Sequence, residues 1–389
     1  MTHWLDIVGV GEGDVPPLPP ADTILGPARL KSRVPQLVEW VSPKIDAMFE
    51  QIMTLRGTRT LVLASGDPMW FGIGATLAKR LDPSEFVIHP GPSSFQFAAA
   101  RMRWPLQHVA MLSIHGRPAE LIHPHIVPAN RILALTSDAT TAPHVARLLV
   151  ERGYGRSLLT VLENLGGPAE RIHSVEAHSF DLTIGELYVL AIDCVADANA
   201  PLLPPVTGLP DDAFISDGQL TKREVRAATL AKLAPYPGAL LWDVGAGCGS
   251  IAIEWMRVAR DAKAIAFERE GERLQMIAVN AASLGVPTLQ IENGDAPESF
   301  AGMPTPDAIF LGGGVGNDPL FDASWSALRP GGRLVANAVT LDAEQALYAR
   351  CQRYGGHLTR IEIASLDSIG EHQAMRPRMP VTQWDVVKR

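Results

Sequence analysis

Residues 241–249 read Leu-Trp-Asp-Val-Gly-Ala-Gly-Cys-Gly, an apolar run that ends in an acid and three alternating glycines. The run from Ala239 to Val244 is typical of a buried parallel strand, and Ser250 to Val258 are typical of the helix that follows it. Alternating glycines let the backbone turn sharply and approach a ligand closely, because they carry no Cβ. The helix N-terminus adds free N–H groups and a partial positive charge. The stretch therefore predicts a cofactor-binding turn.

The next two predicted strands also end in residues that suit a cofactor. A dinucleotide fingerprint needs the spacing G-x-G-x-x-G, and Ser250 stands where its third glycine should be. A strand from Ala264 to Phe267 ends in Glu268, placed where an acid accepts both ribose hydroxyls of a bound cofactor. A strand from Leu289 to Glu292 leads into Asn-Gly-Asp-Ala-Pro. An ordinary turn with a chance glycine cluster is the alternative, but three suitable strand ends in order favour a binding site.

Length and composition limit the class of protein. The chain has 389 residues, of which 47% are hydrophobic and 20% charged, so two to three soluble globular domains are expected. We find no apolar stretch long enough for a membrane span and no basic or apolar start typical of a signal peptide. The three cysteines lie far apart and form no metal-ligand or disulfide pattern. We therefore expect a cytoplasmic protein with no metal site.

A segment rich in proline and small residues, 196–212, divides the chain into two halves and is expected to be a linker. Both halves alternate strands and helices, which predicts an α/β fold in each. We expect the first half, 1–195, to contain two subdomains, 1–111 and 112–195, with a cleft between them. We expect the second half, 213–389, to form one sheet with an antiparallel edge made by its last two strands, Leu358 to Ile363 and Val381 to Val387.

Three loops of the first half occur together in an informative order. They are Val8-Gly-Val-Gly-Glu-Gly-Asp14, Ala64-Ser-Gly-Asp-Pro-Met-Trp-Phe-Gly72 and Pro90-Gly-Pro-Ser-Ser94. With Ser113-Ile-His-Gly-Arg117 and Glu163-Asn-Leu-Gly-Gly167, they resemble the tetrapyrrole methylase family over nearly all of the first half. The resemblance implies a two-subdomain fold that binds S-adenosylmethionine (SAM) between the subdomains. It implies SAM contacts at Asp67, Ser93, Ser94, Asn164 and Leu165, and it leaves open the role of Glu12, since many relatives have proline there.

The second half resembles class I SAM-dependent methyltransferases, whose fold is Rossmann-like. The segments from Gly208 to Phe214, from Leu220 to Arg226 and from Phe310 to Gly314 narrow the resemblance to the decarboxylating methyltransferases of the cobalamin pathway. It implies a second set of SAM contacts at Thr221, Gly245, Ala246, Gly247, Cys248, Gly249, Glu268, Asp295 and Ala296. Cys248 replaces a threonine that is frequent in this class, and we expect it to act as a small apolar neighbour of the cofactor.

Together the halves resemble bifunctional corrin methyltransferases of vitamin B12 biosynthesis. The resemblance implies two SAM sites per chain and methylation of precorrin-6B at C5 by the first half. It implies C15 methylation and loss of the C12 acetate carboxyl by the second half, giving precorrin-8. The same chemistry on a cobalt-containing precursor is the alternative. A carboxylate-rich tetrapyrrole is thus the expected partner, with no membrane or nucleic acid, and we expect a homo-oligomer of unspecified size.

Two other functions compete with this interpretation. A methyltransferase for RNA or protein would need a basic or stacking surface, which a net charge of −8 and 6% aromatic residues disfavour. A half that binds SAM only as a scaffold is the third alternative. The pattern identifies no catalytic acid or base. Residues near the expected sites are Gln219, Lys222, His115, Arg117 and Glu254, each of which has an ordinary surface, capping or structural explanation. Basic residues such as Arg223, Arg226, Arg376 and Arg378 are expected on solvated faces.

Overall fold

The computed structural model describes residues 3–13, 15–41 and 45–389, so Asp14 of the first predicted loop lies outside the described residues. The chain forms two compact units. The first contains the residues up to Ala119 and Val127–Pro201, and the second contains Glu120–Ile126 and Leu202–Arg389. The short piece from Glu120 to Ile126 thus belongs to the second unit, although it lies inside the first half of the sequence.

The first sheet of the first unit contains β1 (Leu5–Val10), β2 (Thr23–Gly26), β3 (Val38–Glu39), β4 (Thr60–Ser65) and β5 (Phe86–His89). These strands are parallel and lie in the order β3-β2-β4-β1-β5. The central strands β1 and β4 are runs of aliphatic residues and are buried over most of their length, as expected for strands covered on both faces. Helices α1 (Ile45–Met53), α2 (Ile73–Leu77) and α3 (Ser94–Met102) connect or follow them.

The second sheet of this unit contains β6 (Ala110–Ser113), β7 (Arg131–Leu135), β8 (Leu158–Glu163), β9 (Arg171–Glu176) and β10 (Tyr188–Asp193), with helix α4 (Thr141–Glu151) after β7. The strand order is β6-β7-β10-β8-β9. Strands β6 and β7 are parallel, and the other pairs are antiparallel. Helix α3 packs its buried residues against this sheet in a shared core that includes Phe95, Leu133 and Leu162.

The sheet of the second unit contains β11 (Leu240–Val244), β12 (Lys263–Glu268), β13 (Gln290–Asn293), β14 (Ala308–Leu311), β15 (Arg333–Ala338), β16 (His357–Ile361) and β19 (Val381–Val387). Its helices are α5 (Arg223–Leu233), α6 (Ser250–Val258), α7 (Gly271–Ser283), α8 (Asp318–Ala327) and α9 (Leu341–Tyr354). The strand order is β13-β12-β11-β14-β15-β19-β16. The chain leaves β11 toward β12 on one side and returns to β14 on the other, so a crevice forms at the carboxyl end of β11.

The predicted α/β fold class is confirmed, and so is the antiparallel edge formed by β19 with β15 and β16. The helix predicted from Ser250 to Val258 is α6 with the same bounds. The pattern did not predict β2, β3, β6 or β9, nor the hairpin of β17 (Ala364–Ile369) and β18 (His372–Pro377). Among the described residues, we find no helix that is both long enough and apolar enough to cross a lipid bilayer.

Candidate active sites

Three glycine-containing loops of the first unit converge where β1, β4 and β5 end. A Cβ on Gly9 would lie 2.5 Å from the carbonyl oxygen of Gly66 and 2.8 Å from the backbone nitrogen of Gly91. Contacts this short exclude any side chain at position 9, because the neighbouring atoms belong to the backbone. The three predicted loops therefore form one continuous wall.

This wall borders a cavity of about 370 Å³ whose other side is formed by residues of β8, β10 and the loop after β8. The volume falls within the range of small-molecule sites, about 300–1,000 Å³. The structure brings together at this cavity all five residues that the resemblance assigned to the first cofactor site, namely Asp67, Ser93, Ser94, Asn164 and Leu165. They come from three loops that are far apart in the sequence.

Two of these residues also hold their own loops in place. Ser93 caps α3: its Oγ accepts from the Gln96 backbone at 3.4 Å, while Gln96 Oε1 accepts from the Ser93 backbone at 2.6 Å. This reciprocal capping box satisfies free donors at the helix start. Asp67 Oδ1 accepts from the Met69 backbone at 2.7 Å. The side chains at the cavity are therefore positioned by local hydrogen bonds.

Aromatic side chains that were not among the expected cofactor contacts also line the cavity. They are Trp40, Trp70, Phe71, Phe95, Phe97 and Tyr188. Trp70 and Phe71 are each 48% exposed and pack edge-on against Phe95, with ring centroids 6.4 Å and 6.0 Å away. Phe71 has a left-handed φ of 57°, which is unusual for a bulky residue and is typical of functional loops. The cavity thus presents flat apolar faces to its ligand.

Glu12, whose role the resemblance left open, forms ion pairs with two arginines. Its Oε1 pairs with Arg29 Nη1, and its Oε2 lies 3.8 Å from Arg33 Nη2. Arg29 also donates to Ser65 Oγ, so it links the loops after β1 and β4. The motifs did not reveal Arg29 because it follows β2, a strand that the pattern did not predict.

Of His115 and Arg117, the two residues of the first half that were expected near a site and could contact propionates, the structure places one at the cavity. His115 lines it, and its Nδ1 lies 2.9 Å from the carbonyl oxygen of Thr136. Arg117 is exposed and does not line the cavity. A carboxylate-binding role for Arg117 at this cavity therefore has no geometric support.

In the second unit, the glycine-rich turn lies between β11 and α6, as predicted. Gly245, Gly247 and Gly249 have φ values of 71°, 60° and 81°, a left-handed conformation that glycine adopts without strain. The backbone nitrogens of Gly245 and Ala246 donate to the carbonyl oxygen of Phe267 at 3.0 Å and 3.1 Å. The turn is therefore fixed against the end of β12.

Glu268 lies beside this turn at the end of β12 and is only 6% exposed. Its Oε2 accepts from the Gly247 backbone at 2.9 Å, and its Oε1 accepts from the backbones of Arg269 and Glu270 at 2.9 Å and 3.1 Å. A carboxylate has about four acceptor positions. Three are used by these backbone groups, so one position remains, on Oε2, for a ligand hydroxyl. This geometry fits a contact with one hydroxyl of the diol that the sequence predicts as ligand.

The other predicted contacts of this site lie in two flanking segments. Asp295 is exposed and lies 3.4 Å from Arg269, and its neighbour Ala296 is half-buried. Thr221 is half-buried, and its carbonyl oxygen accepts from Arg226 Nη1 at 2.5 Å. The segment before Thr221 passes close to the turn, since a Cβ on Gly247 would lie 3.5 Å from the Gln219 carbonyl oxygen.

Two buried groups at the turn have perturbed acidity. Burial, only partly offset by a hydrogen bond from the Ala252 backbone at 3.0 Å, raises the pKa of Asp243 to about 7. Its Oδ1 is buried and has no hydrogen-bond partner among the described residues. Burial also raises the pKa of the Cys248 thiol, which disfavours the thiolate and agrees with an apolar role.

A fully buried ion pair holds the segments around the turn, and this corrects the prediction that Arg226 lies on a solvated face. Arg226 and Glu254 are both 0% exposed, and Arg226 Nε donates to Glu254 Oε1 at 2.6 Å. Glu254 also accepts from the backbones of Gly208 and Leu209 at 2.6 Å and 2.9 Å. Lone basic residues in a helix give no signal of such pairing, which depends on the apolar packing of α5 against α6.

Asn280 of α7 supports the same turn from a second side. Its Nδ2 donates to the carbonyl oxygens of Cys248 and Ile215 at 3.0 Å and 2.9 Å, and its Oδ1 accepts from the Ile215 backbone at 2.8 Å. Asn280 is completely buried. The amide therefore couples the turn to the segment that leads into Thr221.

The folds and sites of both units define a two-domain methyltransferase. The family model of the tetrapyrrole (corrin/porphyrin) methylases matches residues 30–180, and that of the precorrin methyltransferase domain matches residues 212–388. A precorrin-6Y C(5,15)-methyltransferase [decarboxylating] from a Sinorhizobium species is 45% identical over 100% of this chain and 97% of its own length. The chain belongs to the family of precorrin-6Y C(5,15)-methyltransferases (decarboxylating).

Two further relatives extend the comparison. A protein of the same name from Mycobacterium tuberculosis is 40% identical over 90% of this chain and 88% of its own length. A cobalt-precorrin-6B C(15)-methyltransferase (decarboxylating) from Salmonella typhimurium is 31% identical over 44% of this chain and 92% of its own length.

Family membership implies SAM as the methyl donor, and the residues at both sites fit it. The second site offers the remaining acceptor position of Glu268 and glycines that leave room for the close approach of a ligand. The first site offers a cavity of suitable volume bordered by aromatic faces and short polar side chains.

Proposed function

We propose that this chain methylates precorrin-6B at C5 with its first half and at C15 with its second half, and removes the C12 acetate carboxyl as CO₂ to give precorrin-8. The observation that carries the proposal is the presence on one chain of two candidate sites in two different α/β units, within a match that spans the whole chain. Two cofactor sites suit a substrate that must receive two methyl groups.

The protein's main contribution in this proposal is the positioning of two reactants. Bound SAM supplies an activated methyl group. Asp67, Ser93, Ser94, Asn164 and Leu165 would hold it in the first half, and the turn from Gly245 to Gly249 with Thr221, Glu268, Asp295 and Ala296 would hold it in the second. Holding two reactants in line contributes up to about 7–11 kcal/mol of barrier reduction in favourable systems.

No side-chain nucleophile is required in either half. The attacking group is an electron-rich carbon of the macrocycle, and the raised pKa of Cys248 keeps that thiol protonated. Loss of the acetate carboxyl needs an electron sink, which the conjugated imines of the substrate provide. The chain's task is then to keep water away from the acetate.

The assignment of C15 methylation and decarboxylation to one half rests on the shorter relative. Its name joins both events, and it matches 44% of this chain over 92% of its own length. The first half then accounts for C5. If the halves divide the reaction in this way, one substitution in each half of the full chain should block C5 methylation or C15 methylation with decarboxylation separately.

Mass spectrometry of products from two variants tests the division. Gly11 lines the first cavity and has open space around its Cβ position, with Phe97 Cε2 the nearest atom at 3.7 Å. Gly11→Leu should therefore block that cavity without disturbing the fold, leaving one methyl gain with loss of CO₂. Glu268→Gln should leave one methyl gain without CO₂ loss. If either variant abolished every event, the division between the halves would be wrong.

The cobalt-containing precursor is the second candidate substrate, favoured by the similarity to the shorter relative, a cobalt-precorrin-6B C(15)-methyltransferase. Initial rates with metal-free and cobalt-loaded precursor, measured at matched concentrations, decide between the two. A rate on the cobalt form at least equal to that on the metal-free form would favour the second candidate.

The remaining proposals concern the localisation, the oligomeric state and the nucleic-acid binding of the chain. We propose a cytoplasmic homo-oligomer that binds no nucleic acid, as the net charge of −8 indicates. Leu366 and Met375 lie opposite each other in the hairpin of β17 and β18, and both are 61% exposed. Exposed apolar pairs of this kind favour self-association. Light scattering of the purified chain tests the homo-oligomeric state, and the Leu366→Ser variant is measured for comparison.

A further inference from the structure

Glu12, Arg29 and Arg33 form an ion network at the first cavity with one carboxylate and two guanidinium groups. Glu12 and Arg29 line the cavity. Their side chains are only partly exposed, at 24% for Glu12, 32% for Arg29 and 24% for Arg33. Among the described residues, this network carries two positive charges and one negative charge beside the ligand space.

The two arginines have different surroundings. Arg33 Nη1 donates to the carbonyl oxygens of Gly11 and Gly13 at 2.8 Å and 2.5 Å, so this side chain holds the backbone of the first loop. Arg29 donates to one hydroxyl, that of Ser65, and otherwise pairs with Glu12. Arg29 is thus the guanidinium that can exchange its partner for a ligand.

The electrostatic environment of Arg29 favours an additional anion. Burial and the neighbouring Arg33 both lower the pKa of Arg29, which means that the cation is poorly compensated where it stands. A planar guanidinium binds a carboxylate through two parallel hydrogen bonds. Glu12 supplies one negative charge for the two guanidinium groups, so a carboxylate ligand would neutralise the second positive charge.

We propose that Arg29 binds a ligand carboxylate in the first cavity and that Glu12 occupies Arg29 until the ligand displaces it. The inference rests on the proposed function, because both ligands proposed for this cavity carry carboxylates: the acetates and propionates of the tetrapyrrole and the amino-acid end of the cofactor. If the carboxylate is that of the tetrapyrrole, Arg29 selects polycarboxylate substrates over neutral macrocycles.

Calorimetric titration of the full chain tests this role. The probes are coproporphyrin, which carries four propionates, and S-adenosylhomocysteine. The second probe is titrated in a Glu268→Gln background so that the first cavity dominates its binding. Arg29→Gln should weaken the binding of the probe whose carboxylate Arg29 contacts by about 10- to 100-fold, as expected for a lost charged hydrogen bond. Glu12→Gln should strengthen the same probe about 3- to 10-fold, because no internal anion has to be displaced.

Changes of opposite sign in probe affinity distinguish a role of Arg29 in ligand binding from a role that only supports the loop. If the pair only supported the loop, both variants would weaken binding or neither would change it, and either result would overturn the proposal. The probe that responds identifies the source of the carboxylate, porphyrin or cofactor. If Arg29→Gln does not fold, Arg29→Lys replaces it in the test. This variant keeps the positive charge but lacks the planar guanidinium, so it should weaken probe binding by a smaller factor. Failure of the proposed function would show separately, as unmethylated precorrin-6B with the unchanged chain.

Discussion

The two candidate sites differ in how far apart in the sequence their residues lie. The second site uses the turn from Gly245 to Gly249 and the next two strand ends, all on one parallel sheet. The first site combines residues from Gly11 to Val189, carried by two sheets. A single motif therefore indicates the second site, whereas the first becomes visible only when several weak loops are considered together.

The two sites also differ in how charge stabilises them. In the second, the ion pair of Arg226 and Glu254 is fully buried away from solvent and fixes three backbone segments. In the first, Glu12 and its arginines are partly exposed and border the ligand space. A buried pair with every partner supplied serves structure, while a partly open network remains available to a ligand.

The largest expected effect distinguishes these two networks by stability. Glu254→Gln should lower the free energy of unfolding of the second unit by about 3 kcal/mol, because the buried Arg226 would keep only Asp211, 3.1 Å away and 31% exposed, as its counter-charge. Glu12→Gln should cost the first unit no more than about 1 kcal/mol, as for exposed pairs. Hydrogen exchange in peptides of α5 and α3 measures the two units separately. Equal decreases in the free energy of unfolding of both units would contradict the predicted difference between the two ion networks.

The second prediction concerns pH and Asp243. Its folded pKa of about 7 exceeds the ordinary value of 3.8 for an aspartate, so between these values the folded state binds more protons than the unfolded state. Its contribution to stability is complete below about pH 4 and is lost as pH rises through about 7, at up to about 1.4 kcal/mol per pH unit. Asp243→Asn should flatten this slope in urea unfolding, whereas the exposed Asp342→Asn should not. An unchanged slope in Asp243→Asn would contradict the buried environment.

The sequence predicts the central strands well because their signals are local. The runs at β11 and β12 are aliphatic and end in glycine or acid, and α6 has the predicted bounds. Strand β9 reads Arg-Ile-His-Ser-Val-Glu and is almost entirely exposed, so no apolar period marks it. Its conformation is set by pairing with β8.

The same limit applies to the sites. Gly245 follows β11 and Glu268 ends β12, two strands that the pattern identifies, and hence their positions at the strand ends were predictable. Arg29 follows β2, which has four residues, and it acquires a role only through contacts with distant loops. Glu254 and Arg226 lie 28 residues apart, and their burial depends on how two helices pack.

The third prediction tests whether Glu268 binds a ligand diol. Glu268→Gln should weaken S-adenosylhomocysteine at the second site about 10- to 100-fold, because charged hydrogen bonds contribute about 1.5–3 kcal/mol. Glu270→Gln is the matched control, since Glu270 is 57% exposed and pairs with Arg269 at 3.3 Å. Calorimetry of the full chain measures both. Similar losses in the two variants would show that general charge, not the diol contact, controls binding.

The smallest expected effect tests whether residues of the first site combine binding with local structure. Ser93→Ala removes the cap of α3 and should lower the free energy of unfolding of the first unit by about 1 kcal/mol. Ser94→Ala, one residue further into the helix, should cost less, because no cap depends on its side chain. Ser93→Asp restores a capping oxygen and should recover stability, yet it places a negative charge at the cavity and should weaken carboxylate ligands. If Ser93→Asp restored stability and bound coproporphyrin as tightly as the unchanged chain, Ser93 would serve only the helix, and the cavity's charge would be set elsewhere.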